Sequence, residues 1–465
     1  MNIKSIPYYF FIIACFIIYW IILGKKKKLQ NLFLLIASYF FYSCWDFRFA
    51  IILFLSSLFN YLIALSININ QKNSKFFLYF TLTVNILVLA FFKYWNFFIE
   101  SWIDLWSSFN IILPLGISFY TFHNLSYLID VYKKKIKPCT NPIVFFNYIS
   151  FFPKLIAGPI EKASDLIPQF QNDRYFNKNS AIEAVHRILW GLVKKIVIAD
   201  TISTITNEIF ANYAFASSTA LITGAIAYSI QLYCDFSGYS DIAIGIAKLL
   251  GFNLTNNFKY PYFSRDIAEF WKRWHISLTN WFRQYLYYPL GGSRVSFKQT
   301  LRNVFVIFII SGVWHGAGWN YILWGFLHFV YYLPTLFGER DKKNLQIVAK
   351  GKIFPSIKEV IFILSTFFWT TVGWIFFRSG NLTNGILYIY QIFKSPADLI
   401  PKYRYIYGYL ICFIVIEWLG REKEYPIELN KNAAFWKKIL LSWILLTLLT
   451  LFGKFNQSEF IYFQF

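Results

Sequence analysis

Long apolar runs, separated by short polar stretches, recur along almost the whole chain and constrain its fold more than any other feature. The first four are residues 7–23, 29–43, 47–66 and 76–92. A helix needs about 20 apolar residues to cross the hydrocarbon core of a bilayer, and only helices and closed barrels satisfy their backbone hydrogen bonds there. The sequence predicts an all-α, polytopic integral membrane protein with about 11 membrane segments, some re-entrant. Since no long linker interrupts it, we expect a single membrane domain over residues 1–465.

The composition agrees with a bilayer environment and argues against other classes of partner. Charged residues make up only 15% of the chain, against roughly 25% in average soluble proteins. The net charge of +22 is compatible with nucleic-acid binding, but no basic segment is long enough for such a face, and lysines collect in the cytoplasmic loops of membrane proteins. The five cysteines lack the paired spacing of a zinc site. We therefore expect the lipid bilayer as a partner, and neither nucleic acid nor a metal.

The lysines between the first runs predict the orientation of the chain. Lys25–Lys28 follow the first run directly, and Lys72 and Lys75 follow the third. By the positive-inside rule these loops are cytoplasmic, which places the N-terminus and the short turn at Trp45–Asp46 outside. The polar, basic stretch 338–358 is predicted to be cytoplasmic for the same reason.

Several regions depart from simple membrane helices. Residues 94–110 mix acids with tryptophans and predict a separate interfacial helix. Residues 143–160 contain two prolines and a glycine, and predict a broken backbone that protein or a wet cavity must cover. Residues 233–245, with two acids, interrupt the apolar runs between 188 and 255. A glycine-rich break divides the two spans predicted for 300–337.

Two histidines in apolar surroundings are the strongest candidates for chemistry, because ionisable side chains are costly at membrane depth and mark functional sites there. The first is His275. A helix over 268–283 would place four residues on one face: Trp271, His275, Leu278 and Phe282. The alternative is a buried histidine that only hydrogen-bonds a backbone carbonyl, and the pattern alone does not choose between the two.

The second candidate is His315, which lies among three glycines and two tryptophans in the stretch 312–319. Glycine allows close helix contact, sharp turns and the close approach of a ligand. An imidazole ionises near neutral pH, so it can take a proton from a hydroxyl and return it to a leaving group. The alternative is a helix-packing motif with an incidental histidine. We expect the neighbours Trp314 and Gly316 to support the site.

Two carboxylates, Asp235 and Asp241, lie in an apolar context and are predicted to support the site rather than to react. As an intramembrane pair they could relay protons, orient histidine or arginine side chains, or cap a helix start at Ser237. The sequence gives weaker evidence of a functional role for the remaining histidines, which are His123, His186 and His328. The absence of G-x-S-x-G, P-loop and H-E-x-x-H motifs from the sequence argues against a serine hydrolase, an ATPase and a metalloprotease.

Six segments of the chain resemble the membrane-bound O-acyltransferase (MBOAT) family, in the bacterial branch that includes the membrane protein of alginate O-acetylation. They are LPLGISFYTFHNLSYLIDVY (113–132), FFPKLIAGPI (151–160), YCDFSGYSDIAIGIAKLLGF (233–252), NFKYPYFSRDIAEFWKRWHISLTNWFRQYLYYPLGGSR (257–294), SGVWHGAGWNYILWG (311–325) and FIYFQF (460–465). The two segments that contain His275 and His315 are quite specific to this family. His123 stands where the family commonly has glutamine, so the resemblance assigns it no role.

The resemblance implies a rim of helices around a thinned centre with a tunnel, where His315 is the catalytic histidine and His275 the second essential one. It implies a thioester donor on the cytoplasmic side, which is acetyl-CoA in the acetylating members. It also implies a separate extracytoplasmic protein that completes O-acetylation of a polysaccharide acceptor. Basic groups near the cytoplasmic mouth, Lys272 or Arg273, would attract the phosphates of coenzyme A.

Other functions stay open at the level of the sequence. A close sub-branch of the family transfers D-alanine from a carrier-protein thioester to teichoic acid, and this is the alternative within the enzyme class. Broken helices and intramembrane acids also fit a transporter of glycan precursors, although the sequence shows no internal repeat. A scaffold that only anchors a soluble acyltransferase would not need the histidines.

Overall fold

The computed structural model describes residues 5–102, 111–338, 347–398, 402–430, 432–455 and 460. Throughout these ranges the regular structure is helical and no strand occurs, so the prediction of an all-α protein is confirmed. The number of membrane segments stays a prediction.

The α-helices of the described ranges are, in chain order: α1 Ile6–Ile17, α2 Lys27–Ser43, α3 Phe47–Ile69, α4 Ser74–Trp102, α5 Ile117–Tyr132, α6 Pro142–Ser150, α7 Phe152–Leu155, α8 Ala163–Gln171, α9 Lys178–Leu192, α10 Asp200–Ala211, α11 Ser218–Leu249, α12 Ile267–Arg273, α13 Ile276–Phe282, α14 Phe297–His315, α15 Trp319–Phe337, α16 Ile357–Arg378, α17 Leu382–Lys394, α18 Ile406–Gly420 and α19 Phe435–Phe452. Short π-helical segments occur at Ile18–Ile22, Val193–Ala199 and Arg283–Tyr287, and 3₁₀ turns at Gln71–Asn73, Tyr213–Phe215 and Pro261–Phe263.

Several of these helices are long and apolar enough to cross a membrane. By length and composition, four stretches of the described chain qualify: Phe47–Ile69, Gln71–Phe97, Ile357–Arg378 and Phe435–Phe452. Two shorter apolar helical stretches accompany them, Ile6–Ile22 and Ile406–Gly420. Such lengths match the thickness of a bilayer core, which needs about 20 residues of helix.

Polar side chains at the helix starts explain why long apolar helices begin where they do. Asp46 accepts a hydrogen bond from the backbone N–H of Arg48 (2.9 Å) and so caps α3. Ser356 and Glu359 form a reciprocal capping box at the start of α16. Each such cap satisfies backbone donors that the first helical turn leaves unpaired, which is worth about 1 kcal/mol.

The chain divides into two compact units, which we describe separately. The first unit comprises Met1–Ile188 and Ser240–Thr255. In it, α2, α3, α5 and α6 pack against one another, and the packing is largely aromatic. For example, the ring of Phe145 lies 4.9 Å from that of Tyr127, and the ring of Phe151 lies 4.8 Å from that of Phe252.

The second unit comprises Leu189–Tyr239 and Asn256–Phe465. Here α14 packs along α15, and α15 packs along α16. Glycine makes the first of these contacts close, because a Cβ atom at Gly312 would overlap the backbone oxygen of Tyr321, and one at Gly325 would overlap that of Phe308. Small residues at a helix interface allow backbones to approach in this way.

Two broken regions are found where the sequence predicted them. In the stretch 143–160, α6 ends at Ser150, a short helix α7 follows, and no helix continues beyond Leu155 until α8. In the stretch 300–337, α14 ends at His315 and α15 begins at Trp319.

Two predictions about helix continuity were wrong, and one open alternative was excluded. Residues 94–102 continue α4 instead of forming a separate interfacial helix, and residues 103–110 lie outside the described ranges. Residues 233–245 interrupt the apolar runs but lie inside one helix, since α11 runs through them without a break, and this excludes the alternative of a helix start at Ser237. The helix predicted over 268–283 is broken at Trp274 and His275, between α12 and α13.

Candidate active site

His315 is the last residue of α14 and is packed among aromatic rings. Its imidazole is buried, at 5% exposure, with ring centroids 4.7 Å from Trp314, 4.9 Å from Trp324 and 5.2 Å from Phe377. A Cβ atom on the next residue, Gly316, would overlap the ring of Tyr321. The glycine therefore lets this turn close tightly over the histidine.

His275 lies at the break between α12 and α13 and has left-handed backbone, with φ +43°. A non-glycine residue in that region costs about 1–3 kcal/mol, and such strain is concentrated at functional sites. Two backbone hydrogen bonds to the preceding segment hold the break. The N–H of Ile276 donates to the carbonyl of Asn257 (2.8 Å), and the N–H of Lys259 donates to that of Arg273 (2.9 Å).

The side chain of Asn257 determines which ring nitrogen of a neutral His275 carries the proton. Its Oδ1 accepts hydrogen bonds from the backbone N–H of Ser277 (3.2 Å) and from the Ser277 hydroxyl (2.9 Å). Because the backbone N–H can only donate, Oδ1 must face this side of the amide. The contact of His275 Nδ1 with the same oxygen (3.1 Å) therefore has Nδ1 as the donor, and a neutral imidazole then carries its lone pair on Nε2.

The structure brings the two predicted histidines against the same indole. The ring of Trp314 lies 6.3 Å from that of His275 and 4.7 Å from that of His315. On its other sides His275 meets Phe236 at 4.8 Å and Phe258 at 6.4 Å. Both imidazoles are thus buried in one aromatic environment, where a proton transfer would be shielded from bulk water.

Asp235 belongs to a buried cluster of charges in the second unit. Lys195 forms an ion pair with Asp235 and a second one with Asp200, at 3.0 Å. The neighbouring Lys194 donates to the hydroxyl of Ser237 at 2.9 Å. Both lysines lie on the π-helical segment Val193–Ala199, and such π-bulges are frequent at functional sites. The cluster therefore places two buried lysines close to two buried aspartates.

Asp241 lies in the first unit and pairs with Arg187 at 2.9 Å, with both side chains buried. A carboxylate that already accepts from a buried guanidinium is occupied in this contact, which favours a supporting role over a proton relay. Ser237, which was considered as a helix start, lies in the interior of α11.

The two basic residues considered for the phosphates of coenzyme A differ in their surroundings. Arg273 donates to Glu269 at 2.7 Å, and this carboxylate also receives Arg265 at 3.1 Å. Lys272, in contrast, is exposed and has no ion pair in the part of the chain that the structure describes. Lys272 is therefore the better placed of the two for an anionic donor.

Two site features were missed by sequence reasoning. Asn257 begins the segment that carries His275, but nothing in its type or spacing indicates a partner 18 residues later. Tyr233 donates to the buried carboxylate of Glu417 at 2.7 Å. Glu417 was visible as the only acid in the apolar run of α18, and that isolation is the signal that could have identified it.

The other histidines have surroundings of different kinds. In the first unit, His123 donates from Nδ1 to the carbonyl of Phe119 (2.7 Å), while its Nε2 lies 3.0 Å from Lys154 Nζ and accepts from the N–H of Glu161 (3.1 Å). His186, in the same unit, is buried. In the second unit, His328 is fully buried and makes no hydrogen bond with any residue of the described ranges.

Comparison with known proteins places these features in a family. Residues 8–340 match the sequence profile of MBOAT, the membrane-bound O-acyltransferase family. The chain is 40% identical over 364 residues to a probable alginate O-acetylase, AlgI, of Pseudomonas aeruginosa, covering 76% of this chain and 68% of the relative. It is 36% identical over 393 residues to a peptidoglycan O-acetyltransferase of Helicobacter pylori, covering 77% and 72%. It is 28% identical over 290 residues to a teichoic acid D-alanyltransferase of Bacillus subtilis, covering 58% and 69%.

Proposed function

This chain belongs to the membrane-bound O-acyltransferase family, and from that premise we propose that it moves an acetyl group from cytoplasmic acetyl-CoA across the membrane for O-acetylation of an extracytoplasmic polysaccharide. It is a multi-pass membrane acyltransferase. The names of its relatives refer to O-acetylation of alginate and of peptidoglycan. The observation that carries the proposal is the packing of His275 and His315 against one indole, that of Trp314.

Contacts in the second unit show which helix ends lie together, although the side of the membrane comes from the positive-inside rule alone. Trp418, near the end of α18, donates to the carbonyl of Ile353 (2.8 Å), and Arg421 donates to the carbonyl of Val348 (3.0 Å). The end of α18 and the start of α16 therefore lie on the same side. With the basic stretch 338–358 in the cytoplasm, α16 runs outward and ends on the extracytoplasmic side.

In the proposed reaction, an imidazole nitrogen of His315 takes the proton from the acceptor hydroxyl. The hydroxyl oxygen attacks the thioester carbonyl carbon, and the resulting tetrahedral oxyanion collapses with cleavage of the C–S bond. The thiolate leaves and receives the proton from the imidazolium of His315. General acid–base catalysis of this kind contributes about 10²–10⁴-fold.

His275 has two proposed roles, which are to orient the reacting groups or to stabilise the oxyanion. Stabilising an oxyanion requires a hydrogen-bond donor. In the neutral ring Nδ1 donates to Asn257, so Nε2 can only accept, and it would become a donor only in the imidazolium form. The geometry therefore favours the orienting role, in which Nε2 accepts a hydrogen bond from the acceptor or from His315.

The donor side and the partner are further parts of the proposal. Exposed Lys272 would attract the phosphates of acetyl-CoA at the cytoplasmic mouth, with Arg273 as the weaker candidate because Glu269 already binds it. A separate extracytoplasmic protein would complete transfer to the polysaccharide. The second candidate function is D-alanyl transfer to teichoic acid, which the likeness to the Bacillus subtilis D-alanyltransferase favours.

The test is transfer of label from acetyl-CoA, radiolabelled in its acetyl group, by the purified protein in liposomes. We expect the wild type to consume the donor and His315→Ala to lose at least about 100-fold of that activity while it remains folded and inserted. His123→Gln is the matched control, because glutamine keeps an acceptor for Lys154 and the N–H of Glu161.

The outcomes separate the candidate functions. Consumption of acetyl-CoA that depends on His315 supports the acetyl-transfer proposal. Reaction only with a D-alanyl carrier protein would replace it with the teichoic-acid function. Full activity of His315→Ala would contradict the assigned base, and no reaction with either donor, even with a partner protein added, would favour a transporter or scaffold.

A further inference from the structure

A pocket in the second unit lies where a helix of membrane-spanning length ends. It is lined by residues from α10 and the turn after it, from the end of α16 and from α17. Its volume is about 200 Å³, below the ~300–1,000 Å³ of pockets that enclose drug-sized ligands, so it has room for a small group and not for a polymer. Its main side chains are Asn207, Phe210, Tyr213, Arg378, Asn384 and Tyr388.

Arg378 brings a positive charge into this pocket, and no carboxylate of the described ranges pairs with it. Its Nη2 donates to Asn207 Oδ1 at 2.8 Å, and its guanidinium lies over the ring of Phe210 (5.7 Å). The neighbouring acid, Glu208, is already paired with Lys402 at 2.8 Å. The other N–H groups of Arg378 are therefore available to an anionic ligand.

The side-chain amides in the lining add further hydrogen-bond donors. Asn207 Oδ1 accepts from Arg378, and Asn384 Oδ1 accepts from the hydroxyl of Tyr213 (3.3 Å). The NH₂ group of each asparagine, which can only donate, is then left for a ligand oxygen. A phosphate accepts hydrogen bonds from several directions, and a planar guanidinium binds two of its oxygens in parallel. Among the described residues that line the pocket there is no acid that would receive a cationic group, so the lining fits an anion.

The pocket lies at the level where the apolar part of α16 ends. This helix is 22 residues long and apolar enough to cross a membrane, and Arg378 is its last residue. A helix of about 20 residues spans the hydrocarbon core of a bilayer, so a cation at its end reaches the headgroup layer. Arginine and lysine side chains at this level interact with anionic lipid headgroups.

The next helix, α17, has an exposed apolar side. It is 13 residues long, which is short of the about 20 residues needed to cross the core. The large residues of its exposed apolar side are Ile386, Leu387, Tyr390 and Phe393. Phe393 is 84% exposed, whereas Gly385 and Tyr388 on the opposite side are buried. An amphipathic helix of this kind lies in the membrane surface with its apolar side among the acyl chains.

We propose that this pocket binds the phosphate of an anionic phospholipid headgroup, while the acyl chains of the same lipid lie in the leaflet that the apolar side of α17 enters. Arg378 would hold the phosphate, and Asn207 and Asn384 would donate to its oxygens. The lipid is neither the donor nor the acceptor of the acetyl group, so this site is separate from the proposed reaction. Only the leaflet depends on the orientation of the chain, and it is the outer one if the stretch 338–358 is cytoplasmic.

A phosphate in the pocket would also hold a turn beside the candidate active site. Arg378 directly follows Phe377, whose ring lies 5.2 Å from that of His315. The side-chain amide of Asn320, at the start of α15, donates to the carbonyl of Ser379 at 2.8 Å. The turn after His315 and the turn after Arg378 are thus held together. We expect bound lipid to stabilise this region and so to raise the melting temperature of the protein.

The test measures lipid binding to the full-length protein in a neutral detergent by native mass spectrometry. The protein would be titrated with phosphatidylglycerol, with a diacylglycerol of the same chains, which lacks the phosphate, and with glycerol 1-phosphate, which lacks the chains. We expect phosphatidylglycerol to bind more tightly than either of the others. Arg378→Gln should weaken the binding of the first phosphatidylglycerol about ten- to a hundredfold, because the lining loses its positive charge.

Two further variants accompany Arg378→Gln. Asn384→Asp should also weaken binding, because it places a negative charge beside the phosphate. Arg294→Gln, which removes an exposed arginine outside the pocket, should bind like the wild type. The melting temperature of each variant is measured with and without phosphatidylglycerol. The rise that the lipid causes is compared between variants, so a variant of lower basal stability still gives a result.

The results distinguish this proposal from the proposed function. The proposal is overturned if Arg378→Gln binds phosphatidylglycerol like the wild type, or if diacylglycerol binds as tightly as phosphatidylglycerol. Binding of glycerol 1-phosphate as tight as that of phosphatidylglycerol would indicate a site for a soluble phosphate and would overturn the assignment to a lipid. A wild-type protein that binds phosphatidylglycerol but consumes no acetyl-CoA would contradict the proposed acetyl transfer and leave the lipid site intact.

Discussion

The ring of Phe377 lies 5.2 Å from the imidazole of His315, at 77° to it. Phe377 is the penultimate residue of α16 and His315 the last residue of α14, so the ends of two helices meet at this contact. The position of the predicted base therefore depends on the packing of α14, α15 and α16 as well as on its own segment. Changes in this packing are expected to affect both stability and transfer.

Gly312→Ala tests this dependence. The added Cβ would overlap the backbone oxygen of Tyr321 in α15, and overpacking typically costs about 1–3 kcal/mol. We expect a lower melting temperature in detergent and slower acetyl transfer, because His315 ends the same helix. Gly408→Ala is the control, since its added Cβ would meet no atom within 4 Å and alanine favours a helix by about 1 kcal/mol. Equal melting temperatures for Gly312→Ala and the wild type would contradict the interpretation.

Lys195→Met tests the buried charge cluster. Removing one partner of a buried ion pair costs about 3–5 kcal/mol, and here it would leave Asp200 and Asp235 without their shared cation. We expect a marked loss of thermal stability, which the additional change Asp235→Asn should partly restore. Lys27→Met, at an exposed pair with Asp173, should cost about 0–1 kcal/mol. A double variant no more stable than Lys195→Met alone would argue against the pairing.

Asn257→Ala tests the positioning of His275. Loss of the acceptor oxygen frees the imidazole to turn, and misplacement of a reacting group by about 1 Å can lower the rate ~100-fold. We expect kcat to fall about ten- to a hundredfold with little change in the KM for acetyl-CoA. Asn257→Asp keeps the acceptor oxygen and should recover part of kcat.

The control for that change is Asn60→Ala, which removes a buried asparagine that bonds Asn85 in the first unit. It is expected to lower stability without a specific fall in kcat. If Asn257→Ala changed only stability, the residue would have a structural role alone.

Lys272→Gln tests whether Lys272 attracts the phosphates of acetyl-CoA at the cytoplasmic mouth. An exposed charge contributes about 0–1 kcal/mol, so we expect the KM for acetyl-CoA to rise about two- to fivefold while kcat is unchanged. The difference between variant and wild type should shrink in high salt, because salt screens exposed charges. The measurement is the KM for acetyl-CoA at two ionic strengths. Lys298→Gln, which removes another exposed lysine, is the control. A KM that does not change at low salt would exclude Lys272 as a phosphate contact.

The local sequence pattern predicted the break after His315 but not the break at His275. The break after His315 was predictable because three glycines within 312–319 rarely continue an apolar helix. The break at His275 was not, because Trp271, His275, Leu278 and Phe282 keep helical spacing across it. Two hydrogen bonds hold the break there: the carbonyl of Asn257 accepts from Ile276, and the N–H of Lys259 donates to Arg273. Contacts with such distant residues do not affect the periodicity of the segment.

The region of α11 shows the same limit of local pattern. The acids Asp235 and Asp241 interrupt the apolar pattern, and an isolated carboxylate is costly in an apolar environment, so the pattern left a helix start at Ser237 open. In the structure Lys195 and Arg187 neutralise them, so the helix continues. The sequence contains these cations 40 and 54 positions away, but spacing alone does not show which cation meets which acid.

By itself the sequence determined the helical membrane architecture, because a bilayer admits apolar helices of a narrow range of lengths. It also identified the two histidines as candidates for chemistry, because ionisable groups are rare at membrane depth. Only the tertiary structure decided that both histidines meet Trp314, that Asn257 sets the protonation of His275, and that Arg378 adjoins His315 through Phe377. Hydropathy depends on each residue's own transfer free energy and is readable locally. Ring contacts, hydrogen bonds and ion pairs depend on which distant segments pack together, and that is decided only when the chain folds.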